Sequence, residues 1–308
     1  MNAFLYITTV LIWGTTWIAI AFQLGEVAVT VSVFYRFALA ALFLLTCLAV
    51  LGKLRRINPR DHLFCLMQGM CVFCFNFLLF YTATQYITSG LNSVVFSMAV
   101  MFNAINGVIF FRLPITSRIY LANGLGLIGM LLLFWPDLTG ESFNLDVLFG
   151  LGCALLGTYG FSLGNMISLR HQRKGLDLLS TNAYAMSYGA LTLLAIVLLT
   201  GTPFTLDTSF SYLSALFYLA IFGSVIGFGA YFALIGRIGA GQAAYATLLF
   251  PLVALGISTL FEGYVWTLPA VLGLVMILVG NGVMFIKGGS VKPTTTKMAE
   301  EKGMKTAN

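Results

Sequence analysis

Charge is what this sequence has least of: 16 Lys and Arg and 10 Asp and Glu among 308 residues, or 8% charged, against roughly a quarter in a soluble domain. So few charges cannot cover a water-facing surface, which excludes an ordinary soluble chain of this length. The composition is instead 59% hydrophobic, with a mean hydropathy of +0.96. A bilayer tolerates an apolar exterior and requires only that backbone N–H and C=O groups pair internally, which leaves helices or a closed barrel. The apolar runs are about twenty residues long and uniform, not ten-residue segments of alternating polarity, and that selects helices.

Histidine and cysteine are also scarce. His62 and His171 fall in hydrophilic stretches and are expected at the surface, His171 within a solvated loop near 170–177. Cys47, Cys65, Cys71, Cys74 and Cys153 lie in or beside apolar runs, where a small soft side chain serves packing. Cys71 and Cys74 form a C-x-x-C, but no second pair or nearby histidine completes a metal site, and no cofactor is expected. No Gly-rich segment ends in Gly-Lys-Ser/Thr, which excludes a phosphate loop and an ATP motor. The only adjacent acids, Glu300 and Glu301, are in the C-terminal tail, so the clustered carboxylates of a membrane-embedded transferase are missing and no catalytic residues are assigned.

Cutting the chain at charges and turn residues predicts spans near 4–22, 30–51, 63–82, 90–111, 119–136, 147–168, 180–200, 212–235, 240–261 and 268–286. The first lacks the basic start of a signal peptide and reads as a retained helix. With the N-terminus in the cytoplasm, every Lys and Arg except Arg36 falls on the inner side, while Glu26, Asp137, Glu141, Asp146, Asp207 and Glu262 fall on the outer. That separation satisfies the positive-inside rule with both termini cytoplasmic, as in a bacterial inner membrane. The basic excess therefore marks orientation, and no nucleic-acid partner is expected. Residues 287–308 cannot bury a core and are predicted to be a disordered cytoplasmic tail.

A shift of 151 positions superposes Phe77 on Phe228, Ile87 on Ile238, Gly90 on Gly241, Phe110 on Phe261, Gly129 on Gly280 and Phe134 on Phe285 without a gap. The register and the matching span boundaries carry the repeat more than the identities do. Residues 1–139 and 140–286 then form two five-helix units. Five is odd, so the second enters the membrane from the opposite side, the inverted arrangement from which alternating-access carriers are built. The predicted class is an all-α integral membrane protein of about ten transmembrane helices. A structural or regulatory membrane protein is the other reading this leaves open, a transferase the less favoured one.

Trp13-Gly14 near the start of the first helix, Tyr35-Arg36-Phe37 in the second, then Pro251, Phe261-Glu262, Leu272-Gly273 and Gly280 resemble the pattern of the drug/metabolite transporter superfamily, EamA type. The resemblance covers roughly 4–286. It implies transport of a small organic solute such as an amino acid, usually by efflux. The first half departs from the pattern, with Val100, Phe111 and Ala122 where the second half has the proline, glutamate and first glycine. A kink is therefore expected at Pro251 more than at its first-half counterpart.

Arg36, some 9 Å inside its span at 1.5 Å per residue, is the one intramembrane cation. It is expected either to orient helices through backbone carbonyls or to attract an anionic solute group. Polar residues interrupting apolar helices are Asn76, Asn92, Ser97, Asn103, Asn106, Tyr159, Asn165, Asn182, Tyr184, Gln242 and Tyr245. They bond neighbouring helices or line a wet cavity, with Trp13, Trp17, Phe75, Tyr81 and Phe232 as candidate walls. No Asp or Glu lies mid-span, which favours facilitated efflux or exchange over ion coupling, and Glu262 reads as a cap at the outer face. The partners implied are a small-molecule solute and membrane lipid; the sequence does not speak to oligomeric state.

Overall fold

The computed structural model describes residues 2–112, 117–135, 145–243 and 246–283. Tyr245, Asp137, Glu141 and the tail 287–308 lie outside the described residues, and of Gln242 only the backbone is described. The described chain forms ten helical segments and no strand. The first five are α1 (Asn2–Ala21), α2 (Val29–Val50), α3 (Pro59–Thr84), α4 (Ser89–Phe111) and α5 (Ser117–Leu133). The second five are α6 (Leu145–Arg173), α7 (Leu178–Thr200), α8 (210–243), α9 (Ala246–Phe261) and α10 (Leu268–Val283). Seven are long and apolar enough to cross a membrane; α5, α9 and α10 are shorter apolar helices. Large apolar side chains such as Leu42, Leu131 and Leu199 remain on the outside, the surface a bilayer covers.

The two halves share local architecture. Displaced by 151, the starts of α3 and α5 fall on Phe210 and Leu268, where α8 and α10 begin. Each half also carries a π-helical stretch at the same place, Gly69–Phe75 in α3 and Tyr218–Ile226 in α8. Such stretches loosen the i→i−4 ladder, and they recur at functional sites.

Close packing between the halves runs through glycine. A Cβ built on Gly129 of α5 would lie 2.6 Å from the Gly273 carbonyl of α10, and one on Gly189 of α7 would lie 3.0 Å from the Gly69 carbonyl of α3. In lipid, where apolar surface gives little drive for helix association, such backbone approach supplies the dispersion contact. Gly280, which the repeat pairs with Gly129, is buried on α10.

Two expectations need correction, and the fourth helix adds a feature of its own. α6 continues as helix through Arg173 and buries His171, which is 1% exposed, instead of leaving it in a solvated loop. Asp61 anchors that end, accepting from Arg170 at 2.9 Å and Lys174 at 3.1 Å. α8 runs on to Ala243, past the predicted end of its span near 235. The interruption of the fourth helix is also real without a proline: Ser89–Phe96 and Ala99–Phe111 meet at Ser97–Met98. There the Ser93 and Ser97 hydroxyls donate to the carbonyls of Gly90 and Val94 three residues back, drawing the turn tight. Pro251, which the repeat pairs with Val100, three residues beyond Ser97, sits inside α9.

Gly273→Val should lower thermal stability in detergent by about 1–3 kcal/mol, because the facing Gly129 and Leu133 backbone cannot yield. Gly124→Ala, with open space around it, should melt with the wild type.

Candidate functional site

A cavity of about 30 Å³ lies between the halves. Its walls are chiefly rings: Trp13 and Trp17 of α1, Phe77 and Phe80 of α3, Phe96 of α4, Phe161 of α6, Phe228 of α8 and Phe250 of α9. Thr16, Ile20, Arg36 and Asn76 complete the lining. Edge-to-face packing holds the rings, as between Trp17 and Phe80 (5.2 Å) and Trp13 and Phe228 (5.0 Å).

Arg36 projects from α2, seven residues or about 10 Å past its first residue, and is 2% exposed. Its Nε donates to Ser224 Oγ (3.1 Å), and Nη1 to the Tyr81 hydroxyl at 3.4 Å. Tyr81 in turn donates to Gln23 Oε1 at 2.6 Å. Ser224 donates to the Leu219 carbonyl, five residues back in the π stretch. The guanidinium carbon stands 4.2 Å from the Phe77 ring centroid, a cation–π contact. Thus the partners are neutral side-chain hydroxyls and a ring rather than the backbone carbonyls anticipated. Asp61 holds ion pairs with Arg170 and Lys174, and Arg36 has no acidic partner among the described residues.

The π stretch of α8 also receives Trp13. Its indole N–H donates to the Gly223 carbonyl at 3.2 Å, and a Cβ on Gly227 would lie 2.5 Å from that nitrogen. Two further lining residues keep unspent polar atoms: Asn76 donates to the Gly157 carbonyl (2.7 Å) but its Oδ1 has no partner, and neither has the Trp17 indole nitrogen.

Of the anticipated residues, Trp13, Trp17, Arg36 and Asn76 line the cavity and Tyr81 stands directly behind Arg36. Asn103 and Asn165 are buried and bonded to each other (3.2 Å), off the cavity wall. Asn92 bonds the Phe80 carbonyl and Thr84, and Asn106 bonds Ser162, both between helices. Phe232 is core. Tyr159, 37% exposed against Phe102, and Phe75, 45% exposed, face outward. Tyr184 lies near the start of α7, its hydroxyl donating to the Arg55 carbonyl and its ring against His62. In a chain with 27 phenylalanines, Phe96, Phe161 and Phe250 carried no distinguishing mark. Phe77 and Phe228 did, as a pair matched by the repeat, and both line the cavity.

The model of the EamA-like transporter family matches residues 1–135 and 148–286, one copy on each half. The chain belongs to that family. This EamA-type chain is 26% identical over 281 residues to the "Uncharacterized transporter YoaV" of Bacillus subtilis (strain 168), covering 89% of this chain and 93% of that one. It is 23% identical over 278 residues to "Protein PagO" of Salmonella typhimurium, covering 90% of each. To the "Uncharacterized transporter in trpA 3'region" of Buchnera aphidicola subsp. Schlechtendalia chinensis it is 26% identical over 270 residues, 85% of this chain and 84% of that one. A crystal structure of a protein at 15% identity superposes with a TM-score of 0.67, covering 92% of this chain and 96% of the other, so the fold is shared. The protein is accordingly an integral membrane transporter of the drug/metabolite type, with its cavity between two EamA repeats.

Glu262, at the end of α9, accepts from the Ser89 backbone N–H with both carboxylate oxygens (3.1 and 3.2 Å) and from the Ser89 hydroxyl at 2.5 Å. It thereby satisfies an orphan donor at the start of α4 in the other repeat. Glu262→Ala should lower the melting temperature by the equivalent of about 1 kcal/mol, read by thermal unfolding in detergent, and leave solute binding in the cavity unchanged.

Proposed function

We propose that this transporter exports or exchanges a small organic metabolite bearing a carboxylate on a compact apolar body, as an amino acid does, by alternating access between its two repeats. The observation that carries this reading is Arg36: a guanidinium on the wall of a ring-lined cavity, held by hydroxyls and a ring face, with no acid beside it among the described residues. A carboxylate supplies the charge those neutral partners lack, and Arg binds it with paired N–H donors. The rings take the apolar body, while Asn76 Oδ1 and the Trp17 indole offer an acceptor and a donor for its remaining polar groups.

Among the described residues the lining has no carboxylate to carry a coupling proton or sodium ion, which supports downhill efflux or exchange. The segregation of loop charges supports cytoplasmic termini in a bacterial inner membrane.

Purified protein in liposomes, screened by counterflow against a labelled panel of amino acids and their decarboxylated analogues, tests the reading. Carboxylated members should exchange. Arg36→Ala should slow that exchange roughly ten- to hundredfold, the scale of a lost charge-assisted hydrogen bond, at unchanged melting temperature, with Arg36→Lys between the two. Exchange at full rate by the Ala variant, or concentrative uptake driven by an imposed pH gradient, would contradict it.

A further inference from the structure

Asn76 is the cavity residue whose chemistry is most constrained. It follows the π stretch Gly69–Phe75 of α3, is 1% exposed and lines the cavity. Its Nδ2 donates to the Gly157 carbonyl of α6 at 2.7 Å, across a crossing so close that a Cβ on Gly157 would lie 3.1 Å from the Asn76 backbone oxygen. Flipping the amide would set Oδ1 against the Gly157 carbonyl, oxygen to oxygen, so this bond fixes which end of the amide stays free. The free end is Oδ1, which has no partner. It can accept a hydrogen bond and cannot donate one.

Arg36 borders the same space. Its guanidinium carbon stands 4.2 Å from the ring centroid of Phe77, the residue that follows Asn76, and all three line the cavity. The wall therefore presents a fixed cation and, one residue from the ring that the cation rests on, a neutral oxygen that requires a donor. Among the described lining residues the other side-chain oxygen is Thr16 Oγ1, which spends its hydrogen on the Trp13 carbonyl at 3.0 Å and also offers only lone pairs. At about 30 Å³ the cavity exceeds the roughly 10–15 Å³ that one water-sized group needs. An ammonium is of that size and fits the closed cavity; the apolar body of a solute needs the rings to part.

We propose that Asn76 is the specificity-determining residue of this cavity: its Oδ1 takes the amine of a zwitterionic solute whose carboxylate lies on Arg36. The inference rests on the carboxylate reading above and narrows it, because a plain acid and a plain amine then both become poor solutes. An acid without the amine leaves Oδ1 buried and unpaired, and a site built to bond a solute N–H rejects an analogue that lacks it. An amine without the carboxylate brings a second cation beside Arg36 with no anion to offset the repulsion. A zwitterion satisfies both groups and adds no net charge.

Three probes share one body: leucine carries both groups, 4-methylpentanoate lacks the amine and 3-methylbutylamine lacks the carboxylate. Binding is measured by calorimetry on the full-length protein in detergent. The wild type should bind leucine at least roughly tenfold more tightly than either of the others. Asn76→Leu should erase the advantage over 4-methylpentanoate and keep that over 3-methylbutylamine; Arg36→Ala should do the reverse. Asn76→Asp, which supplies a negative charge beside Arg36, should strengthen 3-methylbutylamine by a similar factor and decides the question if Asn76→Leu does not fold. No binding of leucine, equal binding of leucine and 4-methylpentanoate by the wild type, an amine preference that survives Asn76→Leu, or no gain in Asn76→Asp would overturn the assignment. An amine preference that depends on Asn76, with no effect of Arg36→Ala on any probe, would keep it and remove the carboxylate reading instead.

Discussion

A buried guanidinium without a counter-charge is the constraint around which this bundle is arranged. On insertion scales an arginine at the bilayer centre costs roughly 2.5–3.5 kcal/mol, and the protein offsets this with neutral groups only: two hydroxyls and the Phe77 ring. Each depends on something else. Ser224 is presented from a π stretch, and its neighbour Gly223 keeps the space clear, since a Cβ there would stand 2.9 Å from Thr16 and 3.4 Å from the guanidinium. The same glycine offers its carbonyl to Trp13, so the cation and an indole of the cavity wall are placed by one turn of α8.

The repeats share a frame and divide the chemistry. A shift of 151 carries Arg36 to Ser187, Trp13 to Gly164, Tyr81 to Phe232 and Asn76 to Gly227. Each is a loss of charge, bulk or hydrogen bonding in the second half. The contacts invert accordingly: where Trp13 meets Gly223, Gly164 meets Val72, large on small and small on large at corresponding crossings. Symmetry of this kind lets both halves pack alike while only one supplies the polar wall, so the solute sees a directional surface inside a symmetric scaffold.

The scaffold was legible because lipid imposes it: apolar runs of spanning length, loop charges of one sign and a gapless internal register are long-range patterns that survive without knowing any contact. Arg36 stood out for the same reason, as a cation where none is expected. Tyr159 and Tyr184 misled because a hydroxyl in an apolar run reads identically whether the helix turns it to lipid, to a loop carbonyl or to a cavity. Their rotational placement is set by which helix packs where. His171 misled for a different reason. Its neighbours are charged and look like a loop, but Asp61 on a distant helix draws two of them, Arg170 and Lys174, into a paired end that buries the ring between them.

Asp61 and Glu262 then acquire a meaning that neither has alone. Asp61 opens α3 of the first repeat and binds the end of α6 in the second; Glu262 closes α9 of the second and binds the start of α4 in the first. The helix directions put these two contacts at opposite ends of the bundle, and both cross between repeats. Separation of the repeats at one end must break an ion-pair cluster, while separation at the other must release a carboxylate from a helix start. The two costs differ in kind, since salt screens the first, whose lysine is half exposed, more than the second. Under the alternating access proposed above, repeats fastened at their ends by unlike contacts would have two openings of unequal cost.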